Sequence, residues 1–97
     1  MMKSTLAIAL SLAVLTPIAI ACEEPASQPE IPDPATAVTA QMVKANNDVR
    51  EYVQAMEAYI GCARMSSAQQ RRRVSELEAF ADEFNQAIRA FRARSDT

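Results

Sequence analysis

The sequence contains no histidine and no tryptophan, and it has a single glycine, Gly61, among 97 residues. Histidine is the commonest general base and metal ligand, so its absence argues against conventional acid–base or metal catalysis. One glycine leaves no glycine-rich loop that could hold a phosphate. The net charge of -2 lacks the basic excess of a nucleic-acid-binding domain. The composition therefore predicts a protein that is not an enzyme and has no cofactor, metal site or nucleic-acid partner.

Residues 1–21 have the pattern of a secretory signal peptide. Lys3 precedes an apolar run, and the small residues Ala19 and Ala21 complete an A-x-A cleavage pattern. Cleavage after Ala21 would deliver the chain to the periplasm. An uncleaved N-terminal membrane anchor is the alternative, because the same hydrophobicity supports it, although Pro17 interrupts the run.

Cys22 directly follows the predicted cleavage site, and two fates compete for it. Residues 19–22 resemble a bacterial lipobox, although Ala19 stands where leucine is usual, and a lipidated Cys22 would make the chain an envelope lipoprotein. Alternatively, Cys22 forms a disulfide with Cys62, the only other cysteine in the sequence. The even number of cysteines favours the disulfide, because lipidation would leave Cys62 as an unpaired thiol in an oxidising compartment.

Residues 22–38 form a proline-rich, acidic arm. The arm contains four prolines and four acidic residues but no basic residue: Pro25, Pro29, Pro32, Pro34, Glu23, Glu24, Glu30 and Asp33. The proline spacing favours an extended polyproline-II conformation, which rises about 3.1 Å per residue. Held by a disulfide, the arm would run back along the next helix and cover apolar surface with Ile31. Without the disulfide, a disordered tether is the expected alternative.

Residues 39–97 have the periodicity of two amphipathic helices, at about 39–63 and 67–93. Apolar residues recur at steps of three and four in both segments. The first stripe is Met42, Ala45, Val49, Tyr52, Met56, Tyr59 and Ala63, beside Val53 and Ile60, and the second is Val74, Leu77, Ala81, Phe84, Ile88 and Phe91, beside Phe80 and Ala87. Thr36 or Thr39 is the expected first N-cap, and Ser67 with Gln70 is the expected capping box of the second helix.

These elements predict an all-α fold. It is an antiparallel two-helix hairpin with an N-terminal proline-rich extended arm, stapled by a disulfide between Cys22 and Cys62. The disulfide would close a loop of about forty residues and contribute roughly 4 kcal/mol in the chain-entropy model.

The charged and sulfur-containing side chains of the helices are expected to be structural. The run Arg71, Arg72 and Arg73 points in three directions and is expected to be solvated, while Arg89, Arg92 and Arg94 suit the carbonyl end of a helix. The carboxylates of Glu78 and Asp82 alone would make a poor metal site. Both Met42 and Met56 fall in the apolar stripe, so they are expected in the core rather than at a metal.

Several short motifs resemble a family of small exported bacterial proteins of proteobacterial type. They are Ile31–Pro32–Asp33 with Ala35–Thr36–Ala37, then Gln41–Met42, Val49, Tyr52, Tyr59–Ile60–Gly61–Cys62 and the closing run from Ile88 to Arg94. The resemblance covers most of the chain after residue 21. It implies an exported protein with one cysteine before a proline arm and another after a tyrosine–aliphatic pair, which agrees with the disulfide. It implies no activity.

Few large apolar side chains remain once residues 1–21 are set aside. In such a chain the burial of apolar surface barely exceeds the loss of chain entropy on folding. The fold therefore needs a disulfide cross-link or a partner for stability. The sequence therefore predicts a small exported, non-catalytic helical protein with an interaction or structural role in the periplasm. Its partner would be a second copy, giving a four-helix bundle, or another helical protein. The alternative remains an envelope lipoprotein anchored through Cys22, and only lipidation or an uncleaved signal would bring the chain to a membrane.

Overall fold

The computed structural model describes residues 22–95, which form two α-helices and an extended arm. Helix α1 spans Thr39–Cys62 and helix α2 spans Ser67–Ser95, and the described residues contain no β-strand. The predicted signal peptide and its cleavage site lie outside the described residues, as do residues 96–97. Both helices begin where the periodicity predicts, and α2 continues past its predicted end near Ala93. The predicted helical hairpin is confirmed.

The two helices pack antiparallel, and Arg94 joins their free ends. Its Nη1 donates a hydrogen bond of 2.7 Å to the carbonyl oxygen of Ala35, and its Nη2 donates another to the carbonyl oxygen of Ala37. Its guanidinium also lies 5.2 Å from the centre of the Phe91 ring. The end of α2 therefore lies beside the segment that enters α1.

The core lies between the helices and beneath the arm. Its buried residues are Ala37, Met42, Ala45, Val49, Met56, Ile60, Phe80, Phe84 and Ala87. Within it, Ala45, Val49, Phe80 and Phe84 form one cluster, against which Ile31, Tyr52, Val53 and Ile88 pack. The Tyr52 and Phe80 rings make a T-shaped contact, with centroids 5.4 Å apart, a favourable aromatic geometry. The first helix buries four residues of its predicted stripe, and the other three, Tyr52, Tyr59 and Ala63, are half-buried.

The buried side of α2 is rotated relative to the predicted stripe. Phe80, Phe84 and Ala87 are buried, whereas Leu77 is half-buried and Val74 remains 37% exposed. The helix turns its phenylalanines toward α1 and the arm because these large rings fill the space between three segments. Val74 and Leu77 are left at the side of the hairpin that the arm does not cover.

The arm is held at both ends and in the middle. A disulfide joins Cys22 to Cys62, with Cα atoms 5.8 Å apart. At the other end, Asp33 accepts hydrogen bonds from the backbone N–H groups of residues 35–37 through its carboxylate and its carbonyl oxygen. Between these ends, Ile31 packs on the core, and a carboxylate oxygen of Glu24 lies 2.9 Å from Nη2 of Arg73. The predicted extended arm and its disulfide are present, and Arg73 is a partner of the arm rather than a purely solvated side chain.

The predicted N-caps of both helices are wrong, because the observed N-caps lie one or two residues away. The N-cap of α1 is Val38, whose N–H donates to Oε1 of Gln41 at 3.0 Å, so Thr39 is already helical. In α2 the capping box is Ser66 with Gln69 instead of Ser67 with Gln70. Oγ of Ser66 accepts from the N–H of Gln69 at 3.2 Å, and the N–H of Ser66 donates to Oε1 of Gln69 at 3.2 Å.

Replacing Ser66 with alanine is expected to lower the free energy of unfolding by about 1 kcal/mol, because an N-cap acceptor is lost. In a domain of this size the melting temperature should fall by about 4 to 8 °C. Ser67→Ala is the matched control and should have little effect, since Ser67 is the first helical residue. Thermal unfolding followed by circular dichroism measures both, and the opposite ranking would contradict the capping assignment.

Candidate functional site

The two sides of the hairpin differ in what covers them. On one side, residues 29–33 of the arm lie along α1 beside Ala45 and Asp48. On the other side, a groove of about 320 Å³ runs between the helices. We call this second side the open face and define it by the groove's apolar lining, Val53, Ile60, Gly61, Val74, Leu77 and Ala81, with Glu57 and Glu78 at its rim.

The open face continues toward the free ends of the helices. A second concavity of about 230 Å³ shares Val53 and Ala81 with the first and has Val49 and Phe84 in its lining. Its polar lining is Asn46, Arg50, Gln54 and Asn85. An apolar floor bordered by polar side chains is the usual anatomy of a protein interaction surface.

Gly61 lies in the lining of the open face, and the fold does not require a glycine there. Its backbone is helical without a positive φ, and a Cβ atom added to it would meet no atom of residues 22–95 within 4 Å. Glycine inside a helix costs about 0.5–1 kcal/mol relative to alanine. The missing side chain leaves the groove open next to Ile60, where another backbone could approach closely.

A larger cleft of about 710 Å³ lies at the bend between the helices. The disulfide Cys22–Cys62 is part of its lining, together with Tyr59, Arg64, Met65, Gln69, Arg72, Arg73 and Glu76. Both cysteines are exposed. Arg64 is distant in sequence from Arg72 and Arg73, and the bend between the helices brings the three to one cleft.

The backbone carbonyl of Tyr59 lies beneath the disulfide. Its oxygen is 3.5 Å from Sγ of Cys62 and 3.7 Å from Sγ of Cys22, and it accepts the N–H of Ala63 at 2.8 Å. A disulfide sulfur carries no proton, so the two sulfur distances are contacts and not hydrogen bonds. Both sulfurs therefore lie against the carbonyl end of α1, which carries partial negative charge.

The remaining charged candidates are spread over the surface. Glu78 lies at the rim of the open face, and Asp82 is exposed one turn further along α2. Residues 22–95 contain no group of three or more histidine, cysteine or acidic side chains placed to hold a metal ion. The predicted core positions of Met42 and Met56 are confirmed by their burial.

Lys44 and Asp48, one turn apart on α1, form an ion pair. Nζ of Lys44 lies 2.6 Å from Oδ2 of Asp48. The hydrogen bond to Asp48, and then its negative charge, raise the pKa of Lys44 above its ordinary value. The pair lies on the arm side of α1, away from the open face, so it is a surface contact and not part of the candidate site.

Within the described part of the chain, neither helix combines the length and the apolar character that crossing a membrane requires. Comparisons with protein-family models, with curated proteins and with solved structures find no match to this chain. The open face and the bend cleft are therefore the features from which a function can be inferred.

Proposed function

We propose that this chain is a small exported, non-catalytic helical protein of the periplasm that works by binding through its open face, and that the partner on this face is a second copy. The observation that carries the proposal is the apolar groove along the side of the hairpin that residues 22–38 do not cover. The arm covers only the other side, so Val53, Leu77 and Ala81 remain half-buried and Val74 remains exposed.

The small core supports self-association. No side chain among the described residues is less than 2% exposed, so the hairpin and arm enclose none of them completely. Two copies packed through their open faces would form a four-helix bundle and would bury the same residues in both chains. The rim contains both a basic and two acidic side chains, Arg50, Glu57 and Glu78. Two identical faces can therefore dock without the repulsion that charges of one sign would cause.

The test is the association state of the oxidised protein, measured by sedimentation equilibrium over a range of concentrations. We expect a reversible dimer. Val74→Asp should raise the dissociation constant by at least about tenfold, because an unpaired carboxylate would be buried in the interface. Ala55→Asp adds the same charge at an exposed position of α1 outside the groove and should leave the dimer unchanged. A strict monomer at the highest attainable concentration would contradict the proposed partner.

Export is supported by the signal-like residues 1–21. The disulfide supports the periplasmic form over the lipoprotein, because a sulfur joined to Cys62 cannot also carry a lipid thioether. An intact mass of the protein from its native envelope distinguishes the two forms. A chain that starts at Cys22 and gains two alkyl groups only after reduction supports the proposed periplasmic form. Acyl chains on Cys22 would contradict that form and identify the protein as a lipoprotein.

A further inference from the structure

We propose that the bend cleft is a thiol-exchange site at which a small anionic thiol attacks the disulfide at Cys62, releases Cys22 and so detaches the near half of the arm. The proposal goes beyond self-association through the open face and does not depend on it. It rests on three features of the cleft: an exposed disulfide, uncompensated arginines and a disulfide partner that belongs to a detachable segment.

The charge of the cleft favours an anionic thiol. Arg73 is compensated, because its guanidinium lies 2.9 Å from Glu24 and 4.0 Å from Glu76. Arg64 and Arg72 are exposed, and among residues 22–95 neither has a carboxylate within ion-pair distance. Two uncompensated cations therefore border the disulfide in the same cleft. They would attract the thiolate and any further negative charge that the thiol carries.

The two sulfurs differ as leaving groups. Sγ of Cys62 is fixed in the last turn of α1, 3.5 Å from the carbonyl oxygen of Tyr59, where the helix dipole disfavours a thiolate. Residues 22–28 of the arm are exposed except for the half-buried Pro25, so a released Cys22 thiolate can move away from the same carbonyl. Attack on Cys62 with departure of Cys22 is therefore the favoured direction.

The exchange balances without a further reagent. The thiolate of the attacking thiol forms a bond to Sγ of Cys62, the bond between Cys62 and Cys22 breaks, and Cys22 leaves with the electron pair and takes a proton from water. A second thiolate can attack the mixed disulfide, which yields the oxidised small thiol and Cys62 in its reduced form. In the first product the anionic group of the small thiol remains beside Arg64 and Arg72.

Detachment would be partial, because the far end of the arm has its own contacts. Arg94 holds the carbonyl oxygens of Ala35 and Ala37, and Ile31 packs on the core. The near part, residues 22–28, is exposed except for a half-buried Pro25, and the contact of Glu24 with Arg73 lies at the surface. The exchange would therefore expose the Tyr59 end of α1 while the hairpin stays closed.

The experiment mixes the oxidised protein with 2-mercaptoethanesulfonate or with 2-mercaptoethanol at equal thiolate concentration and low ionic strength. Acid quenching and mass spectrometry give the rate and the site of the mixed disulfide. We expect the mixed disulfide on Cys62. We expect the ratio of the sulfonate rate to the neutral rate to fall by about fivefold in Arg64→Gln/Arg72→Gln, as two nearby charges in water imply. The pair Arg89→Gln/Arg92→Gln, at the other end of α2, should leave the ratio unchanged.

Salt provides a test that needs no substitution. Raising the ionic strength should reduce the rate ratio of the unaltered protein toward the value of the Arg64→Gln/Arg72→Gln variant, because exposed charges are screened. A rate ratio that changes neither with ionic strength nor in the Arg64→Gln/Arg72→Gln variant would contradict the proposal that these arginines attract the anionic thiol. A mixed disulfide found on Cys22 would overturn the proposed direction of exchange.

Discussion

Replacing both cysteines, as Cys22→Ser with Cys62→Ser, is expected to lower the free energy of unfolding by about 4 kcal/mol. The disulfide links residues separated by 40 positions, and the chain-entropy model assigns this value to a loop of that length. Small domains are stable by only about 5–15 kcal/mol in total, so the loss is a large share. The melting temperature should fall by more than about 15 °C at a fixed protein concentration, as measured by circular dichroism.

The reductant response is the internal control for this result. A reducing agent should bring the unaltered protein to the melting temperature of the double serine variant and should not change the variant itself. Glu24→Gln tests whether the surface contact of the arm with Arg73 matters instead. An exposed ion pair contributes about 0–1 kcal/mol, so this change should have a small effect. A melting temperature of the unaltered protein that does not respond to reductant would contradict the role of the disulfide.

The helices could be predicted because their signal is local and repeats. Apolar residues at steps of three and four define α1 over about six turns and α2 over about five, so one residue that breaks the pattern does not change the predicted helix. The caps could not be predicted to the residue. In Ser66–Ser67–Ala68–Gln69–Gln70 two overlapping S-x-x-Q patterns are equally good, and only the path of the bend selects the first.

The first N-cap was mispredicted for a different reason. Thr36 and Thr39 are both suitable cap residues by type, but Asp33 organises the turn before the helix and leaves Thr39 inside it. The side chain of Gln41 then satisfies the N–H of Val38. A valine is a poor cap by residue type, so no local pattern would have selected it.

Apart from the disulfide and the packing of Ile31 on the helices, contacts between distant segments carried no sequence signal. The hydrogen bonds from Arg94 to the carbonyl oxygens of Ala35 and Ala37 join residues nearly sixty positions apart, and the residue type alone suggested only an interaction with the helix end. The grouping of Arg64 and Arg72 around the disulfide likewise depends on the bend. The disulfide itself was predictable because the sequence has only two cysteines.

The periodicity of α2 could not predict which of its apolar residues would form the open face. The apolar stripe of α2 is wide enough that either edge of it could pack on α1. The contact with Ile31 of the arm favours the edge that contains Phe80. Phe80 and Phe84 are buried in the cluster on which Ile31 packs, and Val74 and Leu77 are left on the side that the arm does not cover. The same arm that completes one side of the core therefore leaves the surface that we propose for dimerisation.

Phe84→Ala is expected to be the most destabilising single substitution in the helices. Phe84 is 3% exposed and lies in the cluster with Ala45, Val49 and Phe80, between both helices and the arm residue Ile31. Removing a buried phenylalanine side chain costs about 3–5 kcal/mol, because apolar contacts are lost and a cavity remains. The mutant should be largely unfolded near physiological temperature if the total stability lies at the low end for small domains.

Two matched variants separate the effect of the cavity from the loss of an aromatic ring. Phe84→Leu keeps most of the buried volume and should lose less than half as much stability as Phe84→Ala. Phe91→Ala removes the same ring at a half-buried position near the end of α2 and should also cost less. Urea unfolding at a fixed protein concentration ranks the three. If Phe91→Ala proved as destabilising as Phe84→Ala, the centre of the core would lie near the free ends of the helices. The cluster on which Ile31 packs would then not be the centre of the core.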